Sequence, residues 1–258
     1  MSSIAKDGLS GKIAIVTGST DGIGLDIARR LGLDGCKVVV SSRKADNVDR
    51  AKIQLQSEGI DAIGLTCNVG HDEDRRRLVA TTVDKFGRID ILVNNAAANP
   101  FFGHILDCSE SHWDKIFDTN VKAPFLLTQL VAPEIAKQQD GGAILIVASL
   151  AGLNPFPFLG PYSVSKTALL GLTKALAAEL APKNIRVNCL APGIIDTKFA
   201  SALTSNEEAM EATMAFTPMK RVGVPADVSG VASFLCSEDA AYITGETLVI
   251  AGGAPSRL

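Results

Sequence analysis

Residues 13–24 read IAIVTGSTDGIG, and this stretch decides the fold class. The short β-branched run IAIVT predicts a strand, and the glycines at 18, 22 and 24 predict a tight turn directly after it. Residues 23–35 then have the apolar spacing of a helix and end in a glycine. Backbone N–H groups at such a helix start can bind an anion. The stretch therefore predicts the first strand-turn-helix unit of an α/β domain.

The same alternation continues to the end of the chain. Further strands are predicted at 37–42, 60–69, 89–96, 143–149, 185–192 and 246–253, with helices at 47–58, 72–86, 120–137 and around Tyr162. The strands are dense in Val, Ile and Leu, which is typical of parallel strands buried on both faces. We therefore expect a doubly wound parallel sheet, the Rossmann fold, as a single domain over residues 1–258. Residues 195–225 lack core periodicity and are predicted to form a flap over a site.

Composition excludes several classes of protein. Of the 258 residues, 47% are apolar and 21% charged, which is typical of a soluble globular domain. A formal net charge of -3 argues against a nucleic-acid partner. We expect no membrane span, because no apolar stretch approaches about 18 residues, and no secretion signal. The five scattered cysteines predict reduced thiols.

His104, Cys108 and His112 are spaced by four, which on one helix would place three metal-ligand types on one face. Gly103 and the polar residues around Cys108 argue against a continuous helix there. We therefore expect no metal site.

Three residues carry the chemistry. Tyr162 and Lys166 are four apart in a predicted helix, and Ser149 ends the predicted strand before it. A tyrosine titrates near pH ~10, and an ammonium one helical turn away favours the phenolate. The spacing of Tyr162 and Lys166 is by itself a weak motif. The alternative interpretation is a surface ion-pair partner on an amphipathic helix. Together with Ser149 and the glycine-rich turn, the spacing predicts proton transfer to or from a carbonyl or alcohol oxygen.

The end of the second predicted strand indicates the cofactor. A protein that binds NAD has an acidic residue here, about 20 residues past the glycines, for the ribose 2′-hydroxyl. This chain has Ser42, Arg43 and Lys44 instead. A guanidinium and a hydroxyl suit a 2′-phosphate, so the sequence predicts NADP(H).

Assembled, these residues resemble the classical short-chain dehydrogenase/reductase family from Lys12 to Gly253. The matching motifs are Thr17-Gly18-x3-Gly22-x-Gly24, Asn94-Asn95-Ala96-Ala97, Asn120, Ser149, Tyr162-x3-Lys166 and Pro192-Gly193. The resemblance implies that Tyr162 is the general acid/base and that Lys166 lowers its pKa and binds the nicotinamide ribose. It also implies that Ser149 orients the substrate oxygen and that Asn120 holds a water in a proton relay.

The resemblance and the glycine turn together predict a set of cofactor contacts. They are Gly18, Ser19, Thr20, Asp21, Gly22, Ile23, Gly24, Ser42, Arg43, Lys44, Asn68, Val69, Asn95, Ala96, Ala97, Tyr162, Lys166, Pro192, Gly193, Ile195 and Thr197. Two positions depart from the family pattern. Ala97 stands where glycine is usual, a loss of backbone freedom that we expect to be tolerated. Asn68 stands where an aspartate usually contacts the adenine amine, and its amide can still accept that bond.

Further segments resemble a subgroup of this family, NADPH-dependent carbonyl and retinal reductases. They are residues 39–44, 99–103, 165–174 and 255–258. This implies a homotetramer that reduces ketones, α-dicarbonyls such as diacetyl, quinones or retinal. The last three residues, Ser256, Arg257 and Leu258, are similar to the peroxisomal targeting signal Ser-Lys-Leu. This predicts a peroxisomal import receptor as partner. The predicted location is the peroxisome, with the cytoplasm as a second location. The alternative is an ordinary polar tail.

Substrate contacts are predicted from aromatic loops. Phe101, Phe102, Phe156 and Phe158 are expected on loops next to this site and favour flat, apolar small-molecule carbonyls. Packing of these rings into the core is the alternative. For the function itself, a 3-oxoacyl thioester reductase of the same family and a non-catalytic dinucleotide-binding sensor stay open.

Overall fold

A computed structural model describes residues 8–199 and 215–256. Its strands are β1 Ile13–Thr17, β2 Lys37–Ser42, β3 Ala62–Thr66, β4 Ile91–Asn94, β5 Gly142–Val147, β6 Ile185–Pro192 and β7 Thr247–Ile250. Its helices are α1 Gly22–Leu33, α2 Ala45–Ser57, α3 Asp72–Phe86, α4 Glu110–Phe117, α5 Ala123–Ile135, α6 Gly160–Leu180 and α7 Pro225–Cys236. All strand pairs are parallel, in the order β3-β2-β1-β4-β5-β6-β7. The predicted doubly wound sheet is confirmed.

The sheet is buried on both faces because successive side chains of each strand point to opposite sides. On β1, Ala14 and Val16 pack into a cluster with α1, α2 and α7, whereas Ile15 packs into a second cluster with α3, α5 and α6. This explains why the strands read as continuous apolar runs. None of the helices in the described ranges is long and apolar enough to cross a bilayer.

Several bounds differ from the sequence prediction. The third, fourth and seventh strands are shorter than expected, and the seventh ends before Gly252 and Gly253, both of which have positive φ. The helix expected at 120–137 begins with a π-helical turn, Asp118–Lys122, before α5. Helices α4 and α7 were not predicted, and α4 begins after a 3-10 turn at Ile105–Asp107. His104, Cys108 and His112 therefore do not share one helix, as expected.

The order of the strands creates the cleft. The chain places β2 and β3 on one side of β1 and then returns to place β4, β5, β6 and β7 on the other. Ligands of open α/β sheets bind outside the carboxyl ends of the strands at this switch point. Residues 200–214, in the middle of the predicted flap, lie outside the described residues, as do Arg257 and Leu258.

Candidate active site

The glycine turn, residues 18–24, lies at the carboxyl end of β1. Gly18 and Gly22 have φ of +61° and +53°, which side chains rarely adopt. A Cβ at Gly24 would lie 2.4 Å from the Gly18 carbonyl oxygen and 2.3 Å from Nδ2 of Asn95. The turn is therefore as tight as its sequence predicts, and it opens onto the N-terminus of α1.

Neighbouring side chains hold this turn in place. Nδ2 of Asn95 donates to the carbonyl oxygens of Thr17 (2.9 Å) and Gly18 (3.0 Å). The Ser19 hydroxyl donates to the Val16 carbonyl and accepts from the Ser41 amide. Ser19 and Asn95 are both predicted cofactor contacts, and in the structure their side chains also brace the turn. Sequence reasoning missed this because the braces join three different strand ends.

The other predicted residues of the turn have different surroundings. Thr20 is half-buried, Asp21 is exposed and caps α1 by accepting from the Gly22 amide, and Ile23 packs against the core. Ala96 lies against Gly18, where a Cβ would come within 2.9 Å of its Cα. Ala97 has no positive φ, so alanine fits where the family pattern has glycine.

The end of β2 carries the predicted basic residues. Arg43 and Lys44 are exposed, and in the part of the chain that the structure describes neither forms an ion pair. Ser42 is half-buried, and the hydroxyl of the preceding Ser41 is buried without a hydrogen-bond partner. Unpaired cations and hydroxyls at this position suit an anionic ligand.

The end of β3 is shaped by Asn68. Its Oδ1 accepts from the Gly70 amide at 3.2 Å, and its Nδ2 lies 3.2 Å from Nε2 of His71. Val69 is buried and its carbonyl accepts from Arg75. The Asn68 oxygen keeps one lone pair, so it retains the acceptor role that the sequence assigns to it.

Ser149, Tyr162 and Lys166 meet at the carboxyl end of β5. Ser149 follows β5 by two residues and Tyr162 is in the first turn of α6, and the Ser149 side chain is close enough to the phenol to lower its pKa. The Ser149 Oγ accepts from the Ala151 amide at 3.1 Å, which fixes its direction. Two neighbouring hydroxyls of this kind can both bind one substrate oxygen.

Lys166 is buried behind the phenol. Its Nζ donates to the Val147 carbonyl at 2.8 Å and lies 5.5 Å from the centroid of the Tyr162 ring. Burial lowers the pKa of this amine to about 8 and raises the pKa of the Tyr162 phenol to about 12. The sequence predicted a lowered phenol pKa, but desolvation by burial raises it and outweighs the lowering by the Ser149 side chain.

Asn120 is buried in the π-helical turn and fixes the loop after β4. Its Oδ1 accepts from the Ala98 amide at 2.7 Å, and its Nδ2 donates to the Ala98 carbonyl and the Ser165 hydroxyl, both at 3.0 Å. The Ser165 hydroxyl in turn donates to the Tyr162 carbonyl. Asn120 is therefore linked to α6 through the Ser165 hydroxyl and the Tyr162 carbonyl.

The loop after β6 crosses the cleft. Gly193 donates to the Ile250 carbonyl at 2.9 Å directly after Pro192, and Ile195 pairs with Gly223 in a single bridge. Thr197 then reaches the glycine turn, where its Cγ2 lies 2.9 Å from the position of a Cβ on Gly22. We call residues 195–199 the crossing segment.

A cavity of about 680 Å³ is lined by Leu150, the residue after Ser149, but in the described part of the chain neither Ser149 nor Tyr162 lines it. Mostly apolar side chains line it, among them Leu150, Phe156, Ile194, Phe216 and Met219. Of the four predicted aromatic contacts only Phe156 lines this cavity.

The other three predicted rings lie outside it. Phe101 is 5.9 Å from the His112 ring, and Phe102 and Phe158 pair at 5.7 Å. Phe158 is exposed and has a φ of 64°, an uncommon backbone for a bulky residue.

Phe199 was missed by sequence reasoning, although its ring lies 6.0 Å from that of Tyr162. Its position two residues after Thr197 was the only hint in the sequence.

The residues present fit a nicotinamide dinucleotide. Added Cβ atoms at Gly18 and Gly24 would fill the turn at the start of α1, where a pyrophosphate binds in this type of fold. Basic residues lie at the end of β2, on the ribose side, and the Tyr162 hydroxyl lies on the far side of the cleft. No group of three or more metal-ligating side chains is found in residues 8–199 and 215–256.

Comparisons with known proteins agree with this geometry. Residues 18–255 match the family model described as enoyl-(acyl carrier protein) reductase. The chain is 60% identical to dehydrogenase/reductase SDR family member 4 of Oryctolagus cuniculus, over 98% of this chain and 97% of the relative, and 58% identical to the human protein of that name, over 98% and 91%. It is 50% identical to tropinone reductase-like 3 of Erythroxylum coca, over 96% and 95%.

The fold is matched equally well by solved structures. A 7α-hydroxysteroid dehydrogenase complexed with NADH and 7-oxo glycochenodeoxycholic acid superimposes with a TM-score of 0.93 at 34% identity, over 99% of this chain and 100% of that chain. With a family model over most of the chain and relatives of this identity over nearly its whole length, the chain belongs to the short-chain dehydrogenase/reductase family of oxidoreductases.

Proposed function

We propose that this protein is an NADPH-dependent carbonyl reductase in which Tyr162 protonates the substrate oxygen. The observation that carries the proposal is that the Ser149 side chain lies beside the Tyr162 phenol, with the buried Lys166 ammonium 5.5 Å from the ring centroid. A bound nicotinamide dinucleotide would supply the hydride.

The protonation state of Tyr162 suits reduction. With a pKa of about 12 the phenol is protonated at neutral pH, which is the form that donates a proton. Ser149 donates a second hydrogen bond to the developing alkoxide, a contribution typically of about 10²–10³ in rate. The Lys166 ammonium, 5.5 Å from the ring, then stabilises the phenolate left after transfer.

Asn120 is proposed to support the return of the proton from solvent. Its amide donors are occupied by Ala98 and Ser165, so a relay water has to bind at an oxygen of this residue. A π-helical turn disturbs the regular hydrogen-bond ladder of a helix and is frequent at functional sites. We expect the relay water to bind at the main-chain carbonyl oxygen of Asn120, within this turn.

NADP(H) is the proposed cofactor because of the basic end of β2. Arg43 has the planar fork that binds a phosphate, and Ser42 and Lys44 add a hydroxyl and a second cation. The acidic residue that holds the ribose 2′-hydroxyl of NAD is missing from positions 42–44, so no carboxylate there repels a 2′-phosphate.

The proposed substrates are small apolar carbonyls: ketones, α-dicarbonyls, quinones or retinal. The cavity lined by Leu150, the residue after Ser149, is mostly apolar and large enough for such molecules. The alternative is a 3-oxoacyl thioester reductase of the same family, and the matching family model is likewise described by a carrier-bound substrate, as enoyl-(acyl carrier protein) reductase. A carrier-bound substrate requires basic residues at the mouth, and Arg221, the cation that lines the described part of the cavity, is paired with Asp227 at 2.6 Å. This favours free carbonyls.

A homotetramer in the peroxisome completes the proposal. Exposed apolar side chains on α4, α5 and α6, namely Trp113, Phe125 and Val164, favour contact with further copies of the chain. The terminal Ser256, Arg257 and Leu258 support recognition by an import receptor.

The test is a panel of diketones, aromatic ketones, quinones, retinal and a β-ketoacyl thioester, assayed with NADPH and NADH side by side. We expect turnover of free carbonyls with NADPH, and Tyr162→Phe should lose at least about 10²-fold in rate while NADPH still binds. Tyr242→Phe is the matched control, because Tyr242 is fully exposed and is the only other tyrosine. Wild-type rates in Tyr162→Phe would refute the assignment, and turnover of the thioester alone would favour the alternative.

A further inference from the structure

The crossing segment makes one charged contact with the glycine turn. Nζ of Lys198 lies 2.6 Å from Oδ2 of Asp21, although the two residues are far apart in the sequence. Next to this ion pair, the Thr197 side chain lies against Gly22, with its Cγ2 2.9 Å from the position that a Cβ on Gly22 would take. The loop after β6 is therefore fastened to the N-terminus of α1 at Asp21 and Gly22.

Asp21 places a negative charge at a helix N-terminus that is proposed to bind an anion. Its Oδ1 accepts from the Gly22 amide at 2.9 Å, so the carboxylate occupies one donor of the helix N-terminus. The Lys198 ammonium and the Gly22 amide lower the pKa of Asp21, which is therefore ionised at neutral pH. Its negative charge stabilises the helix but repels a pyrophosphate bound at the same helix end.

We propose that Lys198 is a positioning residue for cofactor binding, which neutralises Asp21 so that the N-terminus of α1 remains a site for the pyrophosphate. The inference rests on the proposed dinucleotide binding and adds a residue outside the predicted cofactor contacts. Arg50 on α2 also faces Asp21, but it donates its own hydrogen bond to Asn47. Lys198 is the cation in direct contact with the carboxylate.

The pair can be separated by a double-mutant cycle on NADPH binding. Dissociation constants of the wild type, Lys198→Ala, Asp21→Asn and the double variant are measured by nucleotide fluorescence without turnover. Asparagine caps helices as well as aspartate does, so Asp21→Asn removes the charge and keeps the cap. The control for the change in net charge is Lys37→Ala. This substitution breaks an exposed ion pair between Lys37 and Asp61, at the amino ends of β2 and β3.

We expect Lys198→Ala to raise the dissociation constant for NADPH about fivefold to tenfold. The reason is that the exposed Asp21 carboxylate, no longer neutralised, would repel the two charges of the pyrophosphate. The double variant should bind within about twofold of Asp21→Asn, Lys198→Arg should bind as the wild type does, and Lys37→Ala should have no effect. The loss in Lys198→Ala should shrink with added salt, which a purely structural role would not produce.

Two results would overturn the inference. An unchanged dissociation constant in Lys198→Ala shows that Asp21 needs no partner. A loss that persists in the Asp21→Asn background shows that Lys198 acts independently of Asp21. A wild type that binds neither NADPH nor NADH instead refutes the proposed function, and the inference with it.

Discussion

Replacing Gly24 by alanine tests whether the glycine turn forms the cofactor site. The added Cβ would lie 2.4 Å from the Gly18 carbonyl oxygen and 2.3 Å from Nδ2 of Asn95. Both atoms are held, because that amide donates to the Gly18 oxygen at 3.0 Å and to the Thr17 oxygen at 2.9 Å. The methyl group therefore forces the start of α1 away from the turn, or breaks these hydrogen bonds.

The magnitude follows from two opposing terms. Overpacking of a tight site typically costs about 1–3 kcal/mol. Alanine in place of glycine within a helix returns about 0.5–1 kcal/mol. We expect the free energy of unfolding of Gly24→Ala, measured in urea without cofactor, to fall by about 1–2 kcal/mol. Displacement of the α1 N–H groups should also raise the NADPH dissociation constant at least about tenfold, which corresponds to about 1.4 kcal/mol.

Gly171→Ala is the matched control. Gly171 lies inside α6, and a Cβ there would meet no atom within 4 Å. The same substitution should therefore stabilise the protein by about 0.5–1 kcal/mol and leave cofactor binding unchanged. If Gly24→Ala matched the wild type in both measurements, the turn would not have the close approach described above.

Two further predictions concern charge. Burial lowers the pKa of Lys166 to about 8, so its ammonium is present below that pH and lost above it. We therefore expect kcat/KM for carbonyl reduction to fall above about pH 8. A flat profile up to about pH 9.5 would contradict the role given to this ammonium. Arg43→Ala should weaken NADPH binding by about 1.5–3 kcal/mol, the range for a hydrogen bond to a charged group, and leave NADH binding unchanged. Titration of both nucleotides against the variant checks this, and an equal loss for both would mean that Arg43 does not contact the 2′-phosphate.

Local sequence was sufficient for most of the sheet. The bounds of β1, β2 and β6 match the apolar runs, since the pattern of a strand buried on both faces is contained within a few consecutive residues. Helix α7 was missed, because Ser229 and Gly230 interrupt a short apolar pattern and the helix is stabilised by packing against α1. Its existence depends on a partner far away in the chain.

The candidate site shows the same division. Sequence spacing was enough to pair Tyr162 with Lys166 and to identify the glycine turn, because both motifs lie within one element and its adjoining loop. It gave the wrong direction for the phenol pKa, since desolvation depends on everything that surrounds Tyr162, and only the fold brings those groups together.

The sequence by itself thus determined the alternation of strands and helices, the glycine turn and the residue types at each strand end. Only the tertiary structure decided that Asn95 braces the glycine turn and that Lys198 meets Asp21. The physical reason is that strand order and loop crossings set which side chains become neighbours. A contact between distant residues leaves no periodic trace in the chain.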